Sequence, residues 1–106
     1  MAELLILEFE GATESDYCNV SAQLGIDPDT GEGDVPAGQL THLAGLTEDG
    51  RLVIAESWES REAQAEFTEN RLGPAIAKAG VTATPKVTWA GVILVGPSGA
   101  GKTTGL

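Results

Sequence analysis

The sequence predicts an α+β fold with the element order β-α-β-β-α-β, and three observations carry that reading. Short apolar runs near the two ends of the chain, 4–9 and 87–95, are too brief for helices, and the second is rich in residue types that suit a pleated sheet. Between them, two more strand-like runs flank an Asp49-Gly50 turn signal. Each half of the chain also holds one segment of helical period that opens on a hydroxyl residue and closes on a glycine.

Each element follows in order. Leu4-Leu5-Ile6-Leu7-Glu8-Phe9 is the first strand, apolar at both parities and therefore covered on both faces. Thr13 stands before Glu14, Ser15 and Asp16, where a hydroxyl caps free N–H groups and acids face the positive end of the helix dipole. The helix that starts there turns Tyr17, Val20, Ser21 and Leu24 inward and stops at Gly25. Residues 26–37 hold two prolines, two glycines and four acids with no apolar period, and form a loop. Residues 40–46 and 52–58 pair as an antiparallel hairpin. Ser60 opens a second helix with Ala63 and Phe67 inward; Gly73-Pro74 interrupts it, Ala75 to Ala79 resumes it, and Gly80 ends it. After Pro85, Val87 to Val95 is the fourth strand. This order is the ferredoxin-like split, a four-stranded antiparallel sheet with both helices on one face. The apolar residues left for the other face need a cover, and a second copy of the same sheet is the simplest, so a homodimer is expected.

At 106 residues the chain is one small domain with a thin core. Its net charge of -10 opposes nucleic acid and anionic membrane surfaces, which need clustered Lys and Arg. No apolar run approaches the roughly 18 residues of a membrane span, and Met1-Ala2-Glu3 lacks the basic start of a signal peptide, so a cytoplasmic protein is expected. A single cysteine, Cys18, excludes an intrachain disulfide and any thiolate-rich zinc site. Asp27 to Asp34 gathers carboxylates as a calcium loop does, yet Gly31 and Gly38 stand where an EF-hand requires oxygen ligands; a solvated acidic loop is the better reading.

Glu56-Ser57-Trp58-Glu59-Ser60-Arg61-Glu62-Ala63, then Phe67, then Arg71-Leu72-Gly73-Pro74-Ala75 resemble the dimeric α/β-barrel superfamily that includes the antibiotic-biosynthesis monooxygenases. The resemblance spans residues 3–90. It implies two ferredoxin-like subunits packed sheet against sheet, with a pocket between each sheet and its helices. Members of that superfamily include cofactor-independent oxygenases, haem-degrading enzymes, isomerases and proteins without known activity, so the fold alone does not give a function.

Within residues 1–95, the barrel domain, His42 is the first candidate for a base or haem ligand, because it is the only histidine. Its partner depends on hairpin register: a two-residue Asp49-Gly50 turn sets Ser57 opposite it, whereas a three-residue Glu48-Asp49-Gly50 loop sets Glu56 there and makes a histidine–carboxylate pair. Trp58 and Trp89 are candidates to line an aromatic pocket for a flat substrate.

Residues 96–106 form a Gly-rich tail. Gly96-Pro97-Ser98-Gly99-Ala100-Gly101-Lys102-Thr103 satisfies G-x-x-x-x-G-K-S/T and resembles the Walker A loop of P-loop proteins. That resemblance implies phosphate binding by Gly96, Ser98, Gly99, Ala100, Gly101, Lys102, Thr103 and Thr104, with Thr103 on magnesium. Only Thr104-Gly105-Leu106 follow the lysine and first threonine, too few for the helix that anchors such a loop. The combined expectation is a non-enzymatic dimeric barrel protein bearing a grafted or truncated phosphate loop, read as an engineered chimera. It would bind phosphate or magnesium nucleotide weakly at most, hydrolyse no ATP and need no other cofactor. The alternatives are a cofactor-independent monooxygenase acting on a small aromatic substrate in the barrel pocket, and the N-terminal fragment of a natural P-loop protein.

Overall fold

The computed structural model describes residues 2–94. It is a ferredoxin-like α+β domain: β1 (Glu3–Phe9), α1 (Glu14–Leu24), β2 (Gln39–Leu46), β3 (Leu52–Trp58), α2 (Arg61–Phe67), a π-helical turn (Thr68–Leu72), α3 (Gly73–Ala79) and β4 (Pro85–Gly91). The four strands form one sheet in the order β2-β3-β1-β4, antiparallel throughout. Leu5, Leu7 and Phe9 of β1 are buried, and with Ala12, Leu52, Trp58 and Phe67 they make the core beneath the helices. Leu4, Ile6 and Glu8 point to the opposite face, as strand alternation requires. Residues directly opposite one another in a sheet share a face, so Glu56 and Trp89, both paired with Leu5, lie on the helix side with His42.

The β2–β3 hairpin closes through Glu48-Asp49-Gly50. Thr47 and Arg51 are bonded across it, the Gly50 N–H donates to the Thr47 carbonyl, and Gly50 takes a φ of 84°. This is a three-residue loop built on a turn with a left-handed glycine, and it fixes the register of every residue upstream on β2. Hydrogen bonds from Thr47, then Arg51, hold the exposed Asp49 carboxyl below its usual range.

Helix α1 begins on a reciprocal cap: the Thr13 hydroxyl accepts from the Asp16 N–H, the Asp16 carboxylate accepts from the Thr13 N–H, each at 3.0 Å, and Gly25 closes the helix in the left-handed region. Residues 26–37 form a closed loop, with an isolated bridge between Ile26 and Gly33 and an Asp34 N–H donating to the Gly25 carbonyl at 3.0 Å. Arg71 ties this loop to the helices. Its guanidinium donates to the Leu24 and Asp34 carbonyls, pairs with the Asp34 carboxylate at 3.2 Å and stacks 5.4 Å above the Phe67 ring. A Cβ on Gly33, whose φ is 133°, would lie 2.2 Å from the Gly25 carbonyl oxygen. Gly33→Ala should therefore cost about 1–3 kcal/mol of stability, measured by urea unfolding, because both the dihedral and the close approach oppose a side chain.

Two expectations are corrected. Gly73-Pro74 does not interrupt the second helical segment: the backbone stays helical from Arg61 to Ala79 through the π-helical turn, where the Gly73 N–H reaches back to the Thr68 carbonyl. The wider turn accommodates Pro74, which has no N–H to give and whose ring an α-helical turn would crowd. The fourth strand runs over Pro85–Gly91, not 87–95. It pairs with β1 from Phe9 opposite Pro85 to Glu3 opposite Gly91, and beyond one hydrogen bond from Val92 to Ala2 the partner strand has ended. Residues 92–94 are therefore not the strand that a phosphate loop would follow. The Walker-A-like segment, Gly96 to Thr104, lies outside the described residues. Among those described, no helix is long and apolar enough to cross a membrane, and no cluster of three metal-ligating side chains exists.

Candidate functional site

The inward stripe of α1 does not close against the sheet. Tyr17, Val20, Ser21 and Leu24 instead form one wall of a cavity of about 340 Å³, which β1, β2 and β3 floor with Leu7, Leu52 and Ile54 among others. The loop at 26–37 contributes Ile26, Val35 and Pro36, and Leu72, Ile76 and Val81 complete the far side. The lining is predominantly apolar with a few convergent polar groups, the usual make-up of a small-molecule site.

Those polar groups form one connected chain. The hairpin register sets His42 opposite Glu56, and the His42 Nδ1 lies 2.7 Å from the Glu56 Oε2. The other ring nitrogen, Nε2, is 2.8 Å from the Tyr17 hydroxyl, and the two rings stack with 6.0 Å between centroids. Glu56 is buried and receives two further donors: the Gln39 side-chain amide at 2.9 Å on Oε2 and the Trp58 indole N–H at 3.0 Å on Oε1. A carboxylate surrounded by donors acts as the acceptor from His42 Nδ1–H. That places the imidazole lone pair on Nε2, toward the cavity, where the Tyr17 O–H donates to it.

Burial raises the Tyr17 pKa above the ordinary tyrosine value, with a contribution in the same direction from Glu56 and an opposing one from a hydrogen bond to Ser21. Tyr17 is the only tyrosine, so an ultraviolet phenolate titration reads it alone. Its midpoint should lie above about 10. A folded-state pKa raised above the unfolded one means that the native state keeps the proton longer. Its stabilising contribution is complete below the unfolded tyrosine pKa and fades as pH rises through the folded one, a loss that Tyr17→Phe should abolish.

The candidates from the sequence separate here. His42 and Glu56 are brought together at the cavity. Trp58 is adjacent but does not line it: the side chain is 0% exposed, packs on Phe67 at 5.7 Å between centroids, and reaches the site only through its N–H to Glu56. Trp89 is on the edge strand, half-buried under the Arg61 guanidinium at 5.0 Å, and is not part of the cavity wall. The expected pair of tryptophans lining an aromatic pocket is thus replaced by the Tyr17–His42 stack. Tyr17 and Gln39 were not singled out as site residues by sequence. The available signal was a stripe on α1 carrying two hydroxyl residues, Tyr17 and Ser21, at inward positions where a closed core would hold aliphatic ones.

No family model matches the chain, and no curated protein matches it. Solved structures do. The Mycobacterium tuberculosis protein Rv0793 superposes with a TM-score of 0.65 at 18% identity, over 92% of this chain and 100% of that one. SnoaB, a cofactor-independent oxygenase from Streptomyces nogalater, gives 0.63 at 12% identity, over 92% and 98%. A protein provisionally named antibiotic biosynthesis monooxygenase, from Chloroflexus aurantiacus, gives 0.60 at 15%, over 93% and 98%. At such identities the likeness establishes the fold. The expectation of a non-enzymatic chimera is nevertheless overturned, because the neighbours whose names state an activity are named as oxygenases. What the chain shares with them is the ferredoxin-like fold, over nearly its whole length and theirs.

Proposed function

We propose that this protein is an oxygenase that inserts one atom of dioxygen into a small phenolic or enolic aromatic substrate, with the substrate itself as electron source. The observation that carries the reading is the Tyr17–His42–Glu56 chain opening into a mostly apolar cavity of about 340 Å³. The names of the oxygenase neighbours support the reaction class.

Glu56 accepts from His42 Nδ1–H, so Nε2 is a base whose resting partner is the Tyr17 hydroxyl. An entering substrate takes over that hydrogen bond and gives its acidic C–H or O–H proton to Nε2, forming the imidazolium that Glu56 stabilises. The substrate anion is electron-rich enough to pass one electron to dioxygen. The resulting carbon radical and superoxide combine, the His42 imidazolium returns its proton to the peroxide anion so formed, and the hydroperoxide loses water. For a substrate methylene the balance is R₂CH₂ + O₂ → R₂C=O + H₂O, a four-electron oxidation with one oxygen retained and one leaving as water. Apolar walls exclude bulk water from the anion and leave room for dioxygen.

Anthrone, whose methylene is acidified by its enol form, is a minimal probe. Enzyme-dependent uptake of dioxygen, with label from dioxygen in the carbonyl formed, is the expected result. Uptake no faster than in buffer, across anthrone and simple polyphenols, would retire the reading.

The working unit is a homodimer in this reading. Leu4, Ile6, Val53 and Ala55 are only half-buried on the outer sheet face, and Leu43 there is 71% exposed, an apolar patch suited to a second copy. Light scattering should give twice the chain mass, and Leu43→Glu should shift it toward the monomer by placing a charge in that face.

A further inference from the structure

The cavity has a charge asymmetry that restricts what it holds. Two carboxylates, Asp16 and Glu56, line it, and among the described residues neither lysine nor arginine does. The described arginines are all engaged elsewhere: Arg51 with Glu8 and Asp49, Arg61 with Glu3, Arg71 with Asp34. The hydrogen-bonding groups are concentrated around His42, while the body of the wall is aliphatic, from Val20 and Leu24 to Ile76 and Val81.

From this arrangement we infer that the site selects an uncharged ring phenol or enol and rejects the same ring system carrying a carboxylate. The inference deepens the oxygenase reading and rests on it for placing the ligand in this cavity. A neutral hydroxyl finds both an acceptor, His42 Nε2, and a donor, the Tyr17 O–H, at one end of the cavity. Its rings then lie against aliphatic walls, where burial is favourable. An added carboxylate finds no cation on those walls. It must exchange its hydration for a mostly apolar lining in which no cation compensates. It also approaches Glu56 and a chain of net charge -10, both of which repel it. At about 340 Å³ the cavity is near the lower end of small-molecule sites, so about two or three fused rings fill it, leaving little space for a bridging shell of water.

The test is calorimetric titration of the whole protein at neutral pH with naphthol and with hydroxynaphthoate, which keeps the hydroxyl and adds the carboxylate. Hydroxynaphthoate should bind at least about tenfold more weakly. A second arm uses Leu40→Arg. Leu40 lines the cavity yet is 50% exposed, so a guanidinium there reaches the mouth without being buried. With unaltered melting, that variant should reduce the difference between the ligands by at least about threefold. Equal or tighter binding of hydroxynaphthoate by the unaltered protein would overturn the inference, as would binding of neither ligand. A difference unchanged in Leu40→Arg would overturn it as well, by showing that shape and not the missing cation discriminates. Selective naphthol binding without anthrone oxygenation would retire only the oxygenase reading. Anthrone oxygenation with indifferent binding would retire only the selectivity.

Discussion

His42→Ala should lower the rate of dioxygen uptake with anthrone by about 10²–10⁴-fold, the span typical of losing a positioned general base. The effect should fall on kcat more than on KM, because the imidazole adds little contact area beside the apolar walls but takes the proton whose removal makes the substrate oxidisable. Folding should survive. The His42 side chain is about a third exposed, and Glu56 keeps its bonds from Gln39 and Trp58 when the imidazole is gone. Far-ultraviolet circular dichroism and a thermal melt verify that, and added imidazole should restore part of the rate by occupying the space left. Tyr17→Phe separates the roles of the two rings. It leaves Nε2 free of its resting partner, so turnover should persist, while affinity for naphthol falls with loss of the O–H donor. A His42→Ala protein as fast as the unaltered one would show that proton removal happens elsewhere.

Fold and site were unequally legible in sequence, for reasons that particular residues illustrate. Strand alternation and caps are local: Thr13 with Asp16, Ser60, Gly25 and Gly80 mark helix ends through bonds spanning a few residues, and all appear where the sequence puts them. The end of β4 is not local. It depends on where pairing with β1 stops, at Glu3 opposite Gly91, which no pattern within 87–95 encodes. Pro74 is a breaker by the α-helical rule, and a π-helical turn, which needs a five-residue rather than four-residue reach, has no signature in that rule. The His42–Glu56 pair was one of two registers, and the choice hung on whether Glu48 belonged to the turn. Tyr17 was legible as an inward helical position but not as a site residue. Its meeting with His42 joins two elements 25 positions apart across a cavity, and apolar periodicity cannot distinguish a wall that encloses space from one that fills it.

Trp58→Ala should be the most destabilising single change in the domain, at about 3–5 kcal/mol. Trp58 is 0% exposed, with the Phe67 ring tilted against it, so truncation opens a cavity within the core. It also removes the donor to the Glu56 Oε1, leaving a buried carboxylate oxygen without that partner. Trp58→Phe separates the two contributions. It retains most of the ring contact with Phe67 but not the indole N–H, and should cost about 1–3 kcal/mol, the usual penalty for leaving a buried polar atom unsatisfied. Urea unfolding followed by far-ultraviolet circular dichroism measures both, with Trp89 available as a second, fluorescent probe in each variant. The phenylalanine variant also bears on the site. Gln39 and His42 bind the other carboxylate oxygen, so the base should stay positioned and anthrone turnover should fall far less than in His42→Ala. A Trp58→Phe protein as stable as the unaltered one would mean that water or a rotated Glu56 replaces the indole donor, and that packing against Phe67 alone explains why a tryptophan stands at this position.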